Sequence, residues 1–243
     1  MHALGIQLYS VREQVRADRD GVLRRLAEIG YRSVEPYDPL HDPAGFRAVA
    51  DGLGLTVPTT HGPVLTDRRD ELAAAAHTLG VESVIVAAIP AAEFADADGV
   101  ARSAHRLSEA AAWAAGHGLR LGYHNHWWEF APLPDGRSAF EALAEQVSPD
   151  VFWEVDVYWA ATAGVDVTDL LKSLGERVRY LHVKDGPAVQ GEPMTAVGAG
   201  ALPIPAILAA APPGAGRIVE LDECATDIFE ALAASVAYLN GMQ

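Results

Sequence analysis

Four glycines, Gly30, Gly54, Gly80 and Gly118, each stand between the end of an Ala/Leu-rich amphipathic segment and a short apolar run. The runs are Tyr31-Arg-Ser-Val-Glu35, Leu55-Thr-Val57, Val81 to Ala87 and Leu119 to Tyr123. Glycine suits the left-handed position just past a helix C-terminus, because no Cβ penalises positive φ there. Helix, glycine, strand, repeated along the chain, is the signature of βα units on a parallel sheet.

Extended over the sequence, this pattern predicts strands near 4–9, 32–35, 55–59, 82–88, 119–124, 151–156, 178–183 and 217–221. Helices are expected near 18–29, 43–53, 67–79, 97–117, 137–147, 166–175, 202–210 and 225–240. Eight such pairs close naturally into a (β/α)8 TIM barrel of the α/β class, a single domain over residues 1–243. The alternative, an open doubly wound sheet, lacks the Gly-x-Gly-x-x-Gly turn after its first strand. Segments rich in Pro and Gly, at 132–136, 186–193 and 198–205, are short enough to be loops.

In such a barrel the C-terminal strand ends converge on one mouth. Here they carry Gln7 and Tyr9, Glu35, His61, His124 with His126 and Glu129, Asp156, His182 with Lys184 and Asp185, and Glu220 with Asp222. The densest stretch is Leu121-Gly-Tyr-His-Asn-His-Trp-Trp-Glu-Phe130. Burying His124, Asn125, His126 and Glu129 without partners would cost roughly 1 to 3 kcal/mol for each polar group. Carboxylates and imidazoles aimed at one point repel or desolvate one another unless a cation sits among them. A divalent metal is therefore expected. The donors, oxygen and imidazole without thiolate, suit Mn, Mg, Co, Fe or Zn. In Phe152-Trp-Glu-Val-Asp-Val-Tyr-Trp159 the acids Glu154 and Asp156 share one side, and one of them can be a structural acid inside the barrel. Taken singly, Glu35 or His61 could as well be a cap or a helix partner.

Composition narrows the partners. The chain has 33 acidic against 18 basic residues, a formal charge of -15, which argues against nucleic acid and leaves no basic patch for anionic lipid. The start of the chain has no basic, apolar, cleavable leader, and no apolar run is long enough to cross a bilayer. A cytoplasmic location is the expectation. The single cysteine, Cys224, excludes an internal disulfide framework and reads as a packed residue.

Taken as a set, Tyr-His-Asn-His-x-x-Glu-Phe after strand 5, Val-Asp-x-Tyr-Trp after strand 6, Leu-His-Val-Lys-Asp on strand 7 and Val-Glu-Leu-Asp on strand 8 resemble the xylose-isomerase-like TIM-barrel superfamily. The resemblance is to its sugar phosphate isomerase/epimerase group, which also holds inosose dehydratases and isomerases, and it covers nearly the whole chain. It implies one divalent ion, manganese first, held at the ends of strands 5 to 8. Asp156, His182 and Glu220 fall on the ligand positions of strands 6, 7 and 8. On strand 5 either His124 is the ligand or Glu129 reaches in from the loop. Glu129 is favoured because a carboxylate compensates the ion's charge better. His124 and His126 then become acid/base groups, with Glu35 a further candidate base and Lys184 drawn to developing negative charge. The segment Val197-Gly-Ala-Gly200 lacks the acid often found between those glycines.

The implied reaction is proton abstraction next to the carbonyl of a keto-sugar or cyclitol, through an enediolate, giving an isomerase or epimerase. A dehydratase or lyase working by β-elimination, for instance on an inosose or 3-keto-glycoside, is the alternative. A non-catalytic sugar-binding subunit and an endonuclease IV relative rank below both. Substrate contacts are expected from Gln7, His61, Asn125, Trp127, Trp159 and Asp185. Large aromatics at loop bases, Trp127, Trp128 and Trp159 among them, more often pack than recognise. No phosphate cradle is evident, so an unphosphorylated sugar is at least as well suited. Self-association is compatible with such a barrel, though no isolated apolar stretch marks an interface.

Overall fold

The computed structural model describes residues 3–242; Met1, His2 and Gln243 lie outside the described residues. Its strands are β1 (Gly5–Gln7), β2 (Ser33–Glu35), β3 (Thr59–His61), β4 (Ser83–Val86), β5 (Arg120–His124), β6 (Phe152–Asp156), β7 (Val178–Val183) and β8 (Gly216–Val219). They form one parallel sheet in the order β2-β1-β8-β7-β6-β5-β4-β3. The seam between β2 and β3 is nearly closed. Val34 N–H donates to the Thr56 carbonyl at 2.9 Å, and His61 N–H to the Pro36 carbonyl at 3.0 Å.

Helices α1 (Arg12–Ile29), α2 (Pro43–Gly52), α3 (Arg69–Leu79), α4 (Ala97–Gly116), α5 (Ala139–Gln146), α6 (Val157–Thr162), α7 (Val167–Leu174), α8 (Ile204–Ala210) and α9 (Ile228–Asn240) connect the strands or follow the last. The four junction glycines all have positive φ, from 68° to 124°. Each stops a helix and turns the chain into the next run of buried apolar residues, as the repeat requires.

Three boundaries differ from the sequence-based expectation. The third strand lies at Thr59–His61 rather than 55–59. Pro58 has no N–H to offer a ladder, so Leu55 to Val57 make only a bridge, Ser33 with Thr56. Helix α1 starts at Arg12, six residues before the expected 18, and bends at Asp18 (φ −155°, ψ 82°). The Asp18 carboxylate accepts from Gly21 N–H at 2.9 Å, so the second half of α1 has its own cap where the expected helix began. Helix α6 was not expected. It begins on Asp156, whose side chain accepts from Tyr158 and Trp159 N–H at 3.0 and 2.9 Å.

Alternation along the strands sorts the barrel interior into layers. The inward series are Gly122-His124, Phe152-Glu154-Asp156, Tyr180-His182 and Ile218-Glu220. At the floor, Ile85, Phe152, Tyr180 and Ile218 form a separate apolar cluster. A Cβ on Gly122 would meet the Phe152 ring at 2.4 Å, so only glycine lets that ring fill the floor. Two residues further up each strand the interior turns polar. Register places His124 level with Glu154 and Asp156 level with His182. The main core lies outside this stack, between sheet and helices, where Leu23, Leu26, Leu72, Leu107, Leu143 and Leu232 are fully buried.

Candidate active site

Above the apolar floor, Glu35, His124, Glu154, Asp156, His182, Lys184 and Glu220 are all buried. One donor atom from each of His124, Asp156, His182 and Glu220 lies within 4.8 Å of the others, a group that could hold a metal ion. A second such group, His61, His124, Glu154 and His182, overlaps it. The ends of β5 to β8 thus deliver adjacent donors, because consecutive strands are also neighbours in the sheet.

His182 is gripped from both sides. Its Nδ1 is 2.8 Å from Glu220 Oε2 and its Nε2 is 2.8 Å from Glu35 Oε1. Glu35 is itself anchored by Gln7 Nε2 at 2.7 Å and by the Thr59 hydroxyl. Asp156 divides its two oxygens: Oδ1 caps α6, and Oδ2 faces Lys184 Nζ at 2.9 Å without hydrogen-bond geometry. Lys184 also reaches Glu220 Oε2 and Asp222 Oδ2, both at 2.7 Å. His124 Nδ1 is 3.4 Å from Glu154 Oε2 but makes no hydrogen bond.

Charge in this cluster is lopsided. The carboxylates of Glu35, Glu154, Asp156 and Glu220 are buried, with Asp222 beside them, and Lys184 is the one Lys or Arg among them. Burial pushes the Asp156 carboxyl up to about 6, with Asp222 and Glu220 adding to the shift against Lys184. Burial also raises Glu35, with help from the Glu154 charge. Glu220 stays well below the usual carboxylate range although burial opposes it, because Lys184 and His182 lie against it. Burial and the neighbouring His182 keep His124 neutral, well below the usual imidazole range. Burial, reinforced by the Lys184 charge, brings His126 down to about 3. Burial opposes a charge on His182, yet the Glu154 and Glu220 carboxylates hold it well above the usual imidazole range, so the surplus acid is balanced here by protons and by Lys184, a charge that a divalent ion on the same donors would supply.

The other residues singled out in the sequence take different places. His61, His126, Trp127, Trp159 and Lys184 line a cavity of about 710 Å³ together with His124 and Glu220. His61 Nε2 is tied to Glu154 Oε2 at 2.7 Å. Gln7 and Glu35 sit beneath His182 and do not line this cavity. Asn125 turns to the backbone, exchanging hydrogen bonds with the N–H and carbonyl of Asp156 at 3.0 and 3.2 Å. Asp185 accepts from four backbone N–H groups, those of Gly186, Gly198, Gly200 and Leu202, and so organises the loop after β7. A Cβ on Gly200 would meet that carboxylate at 2.1 Å, which gives the second glycine of Val197-Gly-Ala-Gly200 its reason.

Glu129 is not brought into the group. Its carboxylate accepts from Tyr123 Oη at 2.7 Å and from His126 N–H at 2.9 Å, and burial pushes it up to about 7. The strand-5 donor in the group is His124. Glu154, one of two candidates in the sequence for a structural acid inside the barrel, stands under His124 and His61, and Asp222, placed at the mouth without a catalytic or ligand role, stands against Lys184. The signal for both was there: each lies two residues from a donor on the same strand face.

The fold is shared widely. A sugar phosphate isomerase/epimerase from Parabacteroides distasonis aligns over 98% of this chain and 94% of its own, at TM-score 0.83 and 24% identity. The probable 3-DHS dehydratase AsbF from Bacillus anthracis aligns over 98% and 99%, at 0.74 and 12%. A D-allulose 3-epimerase from Methylomonas sp. aligns over 99% and 98%, at 0.70 and 13%. No curated protein matches the sequence. Among the described residues no helix is long and apolar enough to cross a membrane. Residues 23–218 match the family model described as xylose isomerase-like TIM barrel, and the chain belongs to that family.

Proposed function

We propose that this chain is a divalent-metal-dependent sugar isomerase or epimerase, acting on a keto-sugar or cyclitol by removing a proton next to a carbonyl. The observation that carries the reading is the group His124, Asp156, His182 and Glu220, converging from four successive strands at a cavity that opens above it. Manganese is the first choice of ion, with Mg, Co, Fe and Zn compatible with the same donors. Once bound, such an ion supplies a Lewis acid for a carbonyl and its neighbouring hydroxyl.

The chain's own groups divide the remaining work. Glu35 would take the Nε2 proton of His182 in a hydrogen bond and so leave the Nδ1 lone pair beside Glu220. Glu35→Gln should then weaken Mn(II) affinity by about 10–100-fold in a calorimetric titration, the usual cost of losing a carboxylate behind a ligating imidazole. An unchanged isotherm would separate Glu35 from the ligand set. His126, neutral and at the cavity wall, would accept the substrate proton. Lys184 brings a proton and a positive charge to the same cavity, 2.7 Å from Asp222. Return of the proton to the neighbouring carbon gives an isomer, and return to the other face gives an epimer. If Lys184 instead protonates a departing hydroxyl, the same site is a dehydratase. The placement of that ammonium favours this second reading over a non-catalytic binder.

Metal content of the purified protein, followed by C–H to C–D exchange in D2O over keto-sugars, inososes and aldoses, tests the proposal. The expected result is about one transition-metal ion per chain, because the two candidate groups share His124 and His182, with exchange on a subset of the sugars. No metal after reconstitution would remove its basis. His126→Gln should keep the ion and exchange about 10²–10⁴-fold more slowly. A wild-type rate in that variant would place the base elsewhere.

A further inference from the structure

The cavity above the cluster has two unlike halves. Its base is the charged group just described. Its walls are aromatic: Trp127 lies 4.5 Å from Trp159 and 4.7 Å from Trp128 between ring centroids, and Trp128 stacks on His126 at 4.1 Å. Trp128 is fixed in place by its Nε1–H, which donates to the Ile89 carbonyl at 3.1 Å. From the far side of the barrel, past β1 and β2, come Tyr9 and Tyr37, edge to face at 5.8 Å, with Tyr9 41% exposed. A volume of about 710 Å³ lies within the roughly 300–1,000 Å³ of pockets that enclose drug-sized ligands, with room beyond one sugar ring.

The ammonium at the base of this cavity is already committed, and the two guanidiniums near its rim have partners of their own. Lys184 serves three carboxylates. Arg68, at the rim, pairs with Glu71 at 2.8 Å. Arg12, against the Tyr9 ring, donates to the Tyr9 and Asp222 carbonyls at 3.0 and 2.8 Å. A phosphate would meet Glu220 and Asp222 without a cation of its own, at a repulsive cost. An aromatic ring meets surfaces it can stack on.

Resting on the proposed enolising site, we infer that the substrate is an uncharged keto-glycoside, whose oxidised ring carbon supplies the carbonyl that proton abstraction requires, with an aromatic aglycone. Its sugar lies on the His124, Asp156, His182 and Glu220 group, and its aryl ring lies against Trp127 and Trp159.

Calorimetric titration of the manganese-loaded protein with the 3-keto derivatives of phenyl and methyl β-glucoside, β-galactoside and β-xyloside, and with glucose 6-phosphate, tests the inference without chemistry. At least one phenyl glycoside should bind about tenfold more tightly than its methyl counterpart, the worth of an aromatic stacking contact, and the phosphate should not bind. Trp127→Leu should bring the phenyl glycoside down to the methyl value, with manganese content as the check on folding. Equal affinities within every pair, tighter binding of the phosphate, or binding of no glycoside overturns it. Solvent exchange without a phenyl preference would refute the aryl substrate and spare the enolising site. A phenyl preference without metal or exchange would do the reverse.

Discussion

Asp156→Asn should leave a folded barrel that retains no divalent ion and turns over at least about 10²–10³-fold more slowly, the range for losing one preorganised electrostatic group. The substitution separates the two jobs of this side chain. The retained carbonyl oxygen can go on accepting from Tyr158 and Trp159 N–H, so α6 keeps its cap, a feature worth about 0.5–2 kcal/mol. The new amide nitrogen takes the place of Oδ2, the oxygen that faces the cluster, and has no lone pair for a metal. It also sets a donor against the Lys184 ammonium. Circular dichroism and metal analysis after dialysis decide the matter together. His182→Ala should give the same loss, since it removes both the donor beside Glu220 and the anchor of Glu35. Native metal content in either variant would mean the quartet does not hold the ion.

The barrel was legible because its local signals agree with one another. The junction glycines, the alternation of apolar runs with Ala/Leu-rich segments and the eightfold count all point to one closure. The boundaries that moved did so for local reasons. Pro58 cannot donate to a ladder, Asp18 caps only the second half of a helix that already begins at Arg12, and Asp156 caps a short helix where periodicity sees none. At the site, strand parity shows which side chains face inward. Parity does not show which of two neighbouring polar groups meets a ligand and which meets backbone. Asp185 and Asn125 carry the same chemistry as a binding residue, yet their partners are N–H and carbonyl groups brought close only by the closed barrel. Glu129 was favoured over His124 on charge. Three residues of separation from His126 let its carboxylate return to that residue's own N–H, and the Tyr123 hydroxyl takes the other oxygen. Glu35, a candidate base by position, is saturated by Gln7, Thr59 and His182 below the cavity.

Lys184→Met should make the metal-free protein markedly less stable and make its stability depend on added metal. The ammonium is 1% exposed on its side chain and touches Asp156, Glu220 and Asp222 at 2.7 to 2.9 Å. Methionine fills similar space but leaves those acids facing one another without compensation. Removing one partner of a buried ion pair costs about 3–5 kcal/mol. At roughly 2–4 °C per kcal/mol for a domain of this size, Tm in the presence of a chelator should fall by about 6–20 °C. Two of the three acids, Asp156 and Glu220, belong to the candidate ligand group, so a divalent ion would restore compensation where the ammonium was lost. Saturating Mn(II) should therefore raise Tm further in the variant than in the native chain, because ligand binding stabilises in proportion to the excess of ligand over Kd. The same variant should exchange substrate protons slowly even when metal-loaded, since it also lacks the proton that Lys184 brings to the cavity. An unchanged Tm under chelation would mean that solvent, rather than Lys184, balances these carboxylates. A large fall that Mn(II) does not reverse would separate the lysine's carboxylates from the metal site altogether.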